Sequence, residues 1–226
     1  MTLPVRPVLA AVLFACCLSC GPVLAAEGDP DSTFWSDGTV FFGGSGSYLA
    51  HGLVTAPDGR LVVVGSYITP SAEHIWFWKA VGDGSSSTSG TCFFTPPGGA
   101  TSGYANAAAW SLGGQLLVAG AADYGGDRLA VARFAYPDCT LDNAFDGDGY
   151  WTLDVPGGDE YVMAIAVNPF TGKIALGGVW DSGSVRTGVV AVLSDSGVLD
   201  AGFSGNGWRN LDPSGTQFDD SVAGIS

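Results

Sequence analysis

The strand RLVVVG at Arg60 to Gly65 is written again as QLLVAG at Gln115 to Gly120 and as KIALGG at Lys173 to Gly178. Each copy follows a turn: Pro57-Asp58-Gly59, Leu112-Gly113-Gly114 and Thr171-Gly172. A second phrase recurs with it, as DSTFWSDG from Asp31, LDNAFDGDG from Leu141 and LDAGFSGNG from Leu199. The step is 55 residues from Gly65 to Gly120 and 58 from Asp142 to Asp200. Periods of this order belong to arrays whose repeats cannot bury their own apolar faces and must stack on neighbours.

Within the period Leu141 to Val198 four strand-like segments follow one another: GYWTLD, YVMAIAVN, KIALGGVW and TGVVAVLS. Between them lie PGGDE, PFTG and DSGSVR, which supply the glycine, proline and Asx positions that tight turns require. No segment sustains apolar residues at helical spacing, so helices are absent or trivial. The runs LVVVG, LLVAG and IALGG are almost continuously apolar, as in sheets covered on both faces. Ala107 to Ala109, with Ala164 and Ala166, suit close approach between sheets. The expectation is an all-β, propeller-like array of four-stranded antiparallel blades. Residues 27–226 hold about three and a half repeats, with breaks near 84–90, 141–149 and 199–207, and the recurring Asp-rich phrase marks each handover between blades.

The run DRLAVARFAYPDCTLDNAFDGDG, Asp127 to Gly149, together with GKIALGG at Gly172 to Gly178, resembles the delta-60 repeat of secreted bacterial proteins. That pattern has a Gly-Lys-Ile-Val-like strand, an Ala-Arg strand and then Asp-Gly-x-Leu-Asp-x-x-Phe. The resemblance covers the chain from about Asp29. It implies a β-propeller and an export route, with no reaction assigned. Cys139 departs from the pattern, standing where the next repeat has Gly197. The stretch after Asp83-Gly84 lacks the Leu-Asp-x-x-Phe phrase, and GSSSTSGTCFF takes its place.

The first 26 residues carry one basic residue, Arg6, an apolar run from Val8 to Leu18, and small residues before Glu27, the layout of a secretory signal peptide. A secreted or periplasmic protein is expected; the alternative is a lipid anchor on Cys20. No later stretch approaches the ~20 apolar residues of a membrane span. Cys16, Cys17 and Cys20 fall in the signal, leaving Cys92 and Cys139 as a disulfide pair, or as two separate buried thiols. The formal net charge is −14, and loss of Arg6 with the signal adds one negative unit. Nucleic acid is therefore not a partner, since neither field would attract the other. A fourth repeat breaks off at SVAGIS, too few blades for a closed ring, which implies further blades beyond residue 226 or self-association.

Asp142, Asp146 and Asp148 are the metal candidates, with calcium the cofactor they would take. They miss the EF-hand order, and the copy at Leu199 keeps only one of its acids, so turn-forming residues are the preferred reading and no cofactor is assigned. VWDSGSV at Val179 to Val185 matches the local signature of aspartic proteases, and a second Asp-Ser-Gly begins at Asp195. Two such acids at opposite ends of one strand cannot share a proton. With only His51 and His74, a serine or cysteine hydrolase lacks an evident base, and the region at Ser36 approaches but does not match a sialidase Asp-box. Asp123 with Arg128, and Asp181 with Arg186, read as repeated ion pairs on loops lining one rim. Trp76, Trp78, Trp180 and Trp208 read as blade core ahead of a carbohydrate platform.

No catalytic residue is assigned. The expected role is a non-catalytic binding or scaffold module at or outside the cell envelope, with a protein or carbohydrate ligand. The alternative is an exported hydrolase acting on glycans or lactones through acids or a metal at the propeller mouth.

Overall fold

The computed structural model describes residues 29–32, 34, 35, 37–42, 45–80 and 90–211. The expected signal peptide, Cys20, Ser36, the stretch near 84–89 and the final SVAGIS lie outside the described residues. Among the described residues there are twelve strands and no helix, so none is long and apolar enough to cross a membrane. The chain divides into two units, 1–39 and 40–226, and the strands all belong to the second.

Three four-stranded antiparallel sheets follow one another. The first holds β1 (Ser47–Thr55), β2 (Leu61–Ile68), β3 (Glu73–Ala80) and β4 (Gly90–Phe94). The second holds β5 (Ser102–Trp110), β6 (Leu116–Asp123), β7 (Asp127–Phe134) and β8 (Tyr150–Leu153). The third holds β9 (Asp159–Val167), β10 (Ile174–Asp181), β11 (Arg186–Leu193) and β12 (Trp208–Asn210). Each strand pairs with its sequence neighbour, so every sheet is a plain meander.

The Asp-rich phrase does not hand one sheet to the next. It connects β7 to β8 and β11 to β12, which pair with each other inside a sheet. The boundaries expected at 141–149 and 199–207 therefore move: the second sheet passes to the third through 154–158, and the first to the second through 95–101. A repeat in sequence fixes the period, whereas only hydrogen-bond pairing fixes where one sheet stops.

The phrase is nonetheless one local structure in all three copies. Phe145 N–H donates to Asp142 O and Gly149 N–H to Phe145 O; Phe203 with Asp200, and Gly207 with Phe203, repeat this, as do Phe34 with Asp31 and Gly38 with Phe34. Asp142 and Asp200 each accept the N–H two residues on at 3.1 Å, the side-chain turn expected of them. Asp146, Ser204 and Trp35 take a left-handed φ of 50–53°, and the closing glycines 38, 149 and 207 take φ of 80–90°. A Cβ on Gly149 or Gly207 would also strike Leu141 or Leu199 at 2.6–2.7 Å.

The recurring glycine of LVVVG, LLVAG and IALGG has a different cause. The first strand of each sheet carries a one-residue bulge, at His51, Asn106 and Met163. The bulge pushes the preceding backbone toward the second strand. A Cβ on Gly65, Gly120 or Gly178 would lie 1.8, 2.0 or 2.2 Å from the carbonyl oxygen of Leu49, Tyr104 or Tyr161. Only a residue without a side chain fits there.

Alternate side chains of each apolar run face opposite neighbours, which is why those runs are apolar throughout. Leu116 and Val118 pack with Val62, Val64 and Phe77 of the first sheet. Leu117 and Ala119 pack with Val162, Leu176 and Leu193 of the third. Trp76 and Trp78 are buried on the remaining face of the first sheet with Phe42 and Tyr48. Polar clamps cross the same seams. His51 Nδ1 lies 2.9 Å from Asn106 Oδ1, and Asn106 Nδ2 donates to Val162 O at 2.8 Å, so the bulge of the second sheet holds both neighbours. Arg133, only 4% exposed, pairs with Asp142 at 2.9 Å and donates to Asp195 O across the second seam. A disulfide joins Cys92 on β4 to Cys139 in the loop after β7, with a Cα–Cα distance of 5.6 Å.

Candidate functional site

Three connections meet at one rim between the second and third sheets: the β6–β7 turn, the passage from β8 to β9, and the β10–β11 turn. Together they wall a cavity of about 430 Å³ lined by Tyr124, Gly125, Gly126, Asp127, Arg128, Asp154, Gly157, Gly158, Asp159, Asp181, Ser182 and Gly183. Five of these twelve residues are glycines, so much of the wall is bare backbone. The remainder carries four carboxylates and one guanidinium.

Each turn is fixed by its first acid. Asp123 Oδ1 accepts the N–H groups of Gly125 and Gly126 at 2.7 and 3.1 Å, and its Oδ2 accepts the Thr101 hydroxyl at 2.8 Å. The Thr101 bond, followed by those two amides, holds the Asp123 carboxyl below its usual range. Asp181 accepts Gly183 N–H at 2.7 Å in the same way. Asp159 Oδ1 accepts Asp127 N–H at 3.1 Å, which ties the two sheets together at the cavity floor. Asp127 takes the Tyr104 hydroxyl at 3.2 Å. Burial raises the Asp127 carboxyl above its usual range and outweighs that bond.

The two expected Asp–Arg pairs do not repeat. Arg186 Nη2 lies 3.2 Å from Asp181 Oδ2, within one loop. Arg128 instead pairs with Asp154 at 3.2 Å and sits 4.8 Å over the Tyr124 ring. The β6–β7 turn leaves three residues between the paired Asp123 and Asp127, whereas the β10–β11 turn leaves four between Asp181 and Arg186. The structural counterpart of Arg186 is thus Asp127, and the one-residue slip turns Arg128 to the opposite face of its strand.

Behind the cavity wall lies Glu160, which the sequence reading passed over. It follows the lining residue Asp159 on β9, is fully buried, and has no hydrogen-bond partner of good geometry on either carboxylate oxygen. Burial pushes its pKa up to about 8; the Val155 amide is the main opposing influence, Asp154 and Asp159 reinforce the rise, and Arg128 opposes it. Glu160 occupies the place held by Gly103 one sheet earlier, counting back from the bulges at Met163 and Asn106. The first sheet has Tyr48 at the same place, so an acid there is the departure from two uncharged copies that marks it. Tyr124, Asp154 and Asp159 carried no such signal, because they face one another only after the sheets stack.

The other candidates are dispersed. Asp142 is committed to Arg133 and to Ala144 N–H, and Asp148 accepts Tyr150 N–H at 2.9 Å. Asp146 sits at the left-handed turn position, its carboxyl raised by burial and then by Asp148. Among the described residues no three His, Cys, Asp or Glu side chains are gathered to hold a metal ion. Asp181 and Asp195 flank the eight-residue strand β11, which spaces them about 25 Å apart. His51 serves the bulge clamp, and His74 Nδ1 lies 3.0 Å from the Thr95 hydroxyl. Trp180 donates to Val155 O at 3.3 Å and is half-buried beside the cavity loop. The chain matches no protein-family model, and no curated protein matches it.

Proposed function

We propose that the chain is an exported, propeller-type module that holds a protein or carbohydrate ligand at its rim without transforming it. The observation that carries this reading is the cavity between the second and third sheets. Its volume, about 430 Å³, falls in the range of ligand sites, and it is formed by loops on a rigid strand scaffold. Its acids are immobilised by backbone amides and by Arg128 and Arg186, which pre-organises acceptors for a ligand. Glu160, the carboxyl best suited to remain protonated, is sealed from solvent and does not face a substrate, so the geometry favours holding over hydrolysis. The leader-like first 26 residues and the Cys92–Cys139 bridge support export. The resemblance to delta-60 repeats and the meander sheets support a propeller-type array.

Ser182, on the cavity wall and at the tip of an exposed turn, is the residue to fill. Ser182→Trp is expected to leave the unfolding midpoint within a few degrees and to abolish retention on immobilised glycans and envelope-protein fractions that hold the wild type. Equal retention of both proteins would place the ligand surface elsewhere.

A further inference from the structure

We infer that the rim cavity takes a ligand through a primary ammonium group, and that seating the ammonium releases a proton from Glu160. The inference rests on the reading of this cavity as the ligand site and names the chemistry it selects.

Arg186, from outside the lining, offsets Asp181, and the other three lining aspartates face one lining arginine, Arg128, leaving two formal negative charges. That arginine is already engaged by Asp154 and by the Tyr124 ring. Protein donors hold one oxygen of Asp127 and one of Asp159. The site is therefore rich in fixed acceptors and short of available donors, which favours a guest that brings donors and positive charge. The acids are not gathered as metal ligands, so a compact multi-donor organic cation fits better than a bare ion.

Glu160 supplies the independent observation. The buried Glu160 carboxyl is costly to ionise, and the Val155 amide and Arg128 offset only part of that cost. The charged groups acting on it are Asp154 from the connection before β9, Asp159 from β9 itself and Arg128 from β7, and all three line the cavity. The two acids disfavour its ionisation and the lone arginine is shared with Asp154. An ammonium seated among Asp154 and Asp159 reverses the balance of charge at Glu160 and favours its carboxylate. Binding and proton loss are then linked, and affinity rises with pH until Glu160 is ionised in the free protein as well.

The test is calorimetry on the full chain with putrescine, with butanediol as its uncharged counterpart, and with a short lysine peptide beside its acetyl-lysine form. Putrescine or the lysine peptide should bind at least about tenfold more tightly than its neutral counterpart. Which of the two binds separates a free amine from a protein side chain as the source. Binding should tighten between about pH 6 and about pH 8, with proton release seen as a buffer-dependent enthalpy. Glu160→Gln should keep the binding and lose both the proton release and the pH dependence, with its thermal unfolding checked in parallel. Neutral and charged probes binding alike, with binding lost in Ser182→Trp, would overturn the ammonium inference and leave the rim-site reading standing. No binding by any probe, together with glycan or protein retention that Ser182→Trp does not alter, would overturn both. Binding without proton release in the wild type would overturn the role given to Glu160.

Discussion

Single residues set two unforgiving demands in this chain. Gly120 cannot carry a side chain because a Cβ would sit 2.0 Å from the Tyr104 carbonyl oxygen. Gly120→Ala is expected to cost about 2–4 kcal/mol, the range of a backbone clash in a packed sheet. Urea unfolding measures it, and an unchanged midpoint would show that the bulge at Asn106 relaxes freely. Glu160 makes the opposite demand, on protonation. Its pKa is about 8 in the fold against an ordinary value of 4.5. Between these values the folded chain keeps a proton that the unfolded chain has released. Stability from this group is therefore complete below about pH 4.5 and falls as pH rises toward 8, by up to about 1.4 kcal/mol per pH unit. In Glu160→Gln that decline should vanish, which unfolding midpoints across the same window would reveal.

At the scale of elements, the β7–β8 connection is the most informative. Phe145 is fully buried under the Arg133 guanidinium, 5.1 Å from its ring, and against Gly197 of the next sheet. Phe145→Ala should cost about 3–5 kcal/mol, while Phe203→Ala, at a half-buried position, should cost clearly less; paired chemical denaturation curves decide it. The sequence displayed these phrases and the strands around them, because apolar runs ended by Gly, Pro and Asp are local properties. GYWTLD contains β8, while YVMAIAVN, KIALGGVW and TGVVAVLS cover β9, β10 and β11 except for Asp159 and Glu160, Asp181 and Arg186 at their ends. It did not display that β8 closes the sheet of the preceding three strands, since a periodic pattern looks the same from any starting point. Nor did it reveal the bulges, where one added residue leaves the composition unchanged. The Asp181–Arg186 pair was legible because both ends lie in one loop. Arg128 with Asp154 was not, because a turn shorter by one residue redirected the arginine toward the residue just past the end of β8, the strand that pairs with β7.

For the whole molecule, stability is carried by seams between successive sheets, so a bond across one seam should act on both partners. The disulfide between Cys92 and Cys139 spans 47 residues and joins the first sheet to the second. Chain-entropy arguments assign such a loop about 4 kcal/mol. Reduction, or the Cys92→Ser/Cys139→Ser double variant, should lower the unfolding free energy by about that amount. Loss of the first sheet's near-ultraviolet aromatic signal at lower urea than that of the third would show where the seam opens. An unchanged free energy would mean that the apolar seam alone suffices. The bulges have a consequence for how such a chain diversifies. Gly65, Gly120 and Gly178 are dictated by backbone contact and must be copied faithfully whenever the unit is duplicated. The bulged positions opposite them hold His, Asn and Met, three unrelated chemistries on one repeated frame. Each unit thus offers a single rewritable address at a fixed place, and a row of new side chains can be installed along the first strands without altering the pattern that folds them.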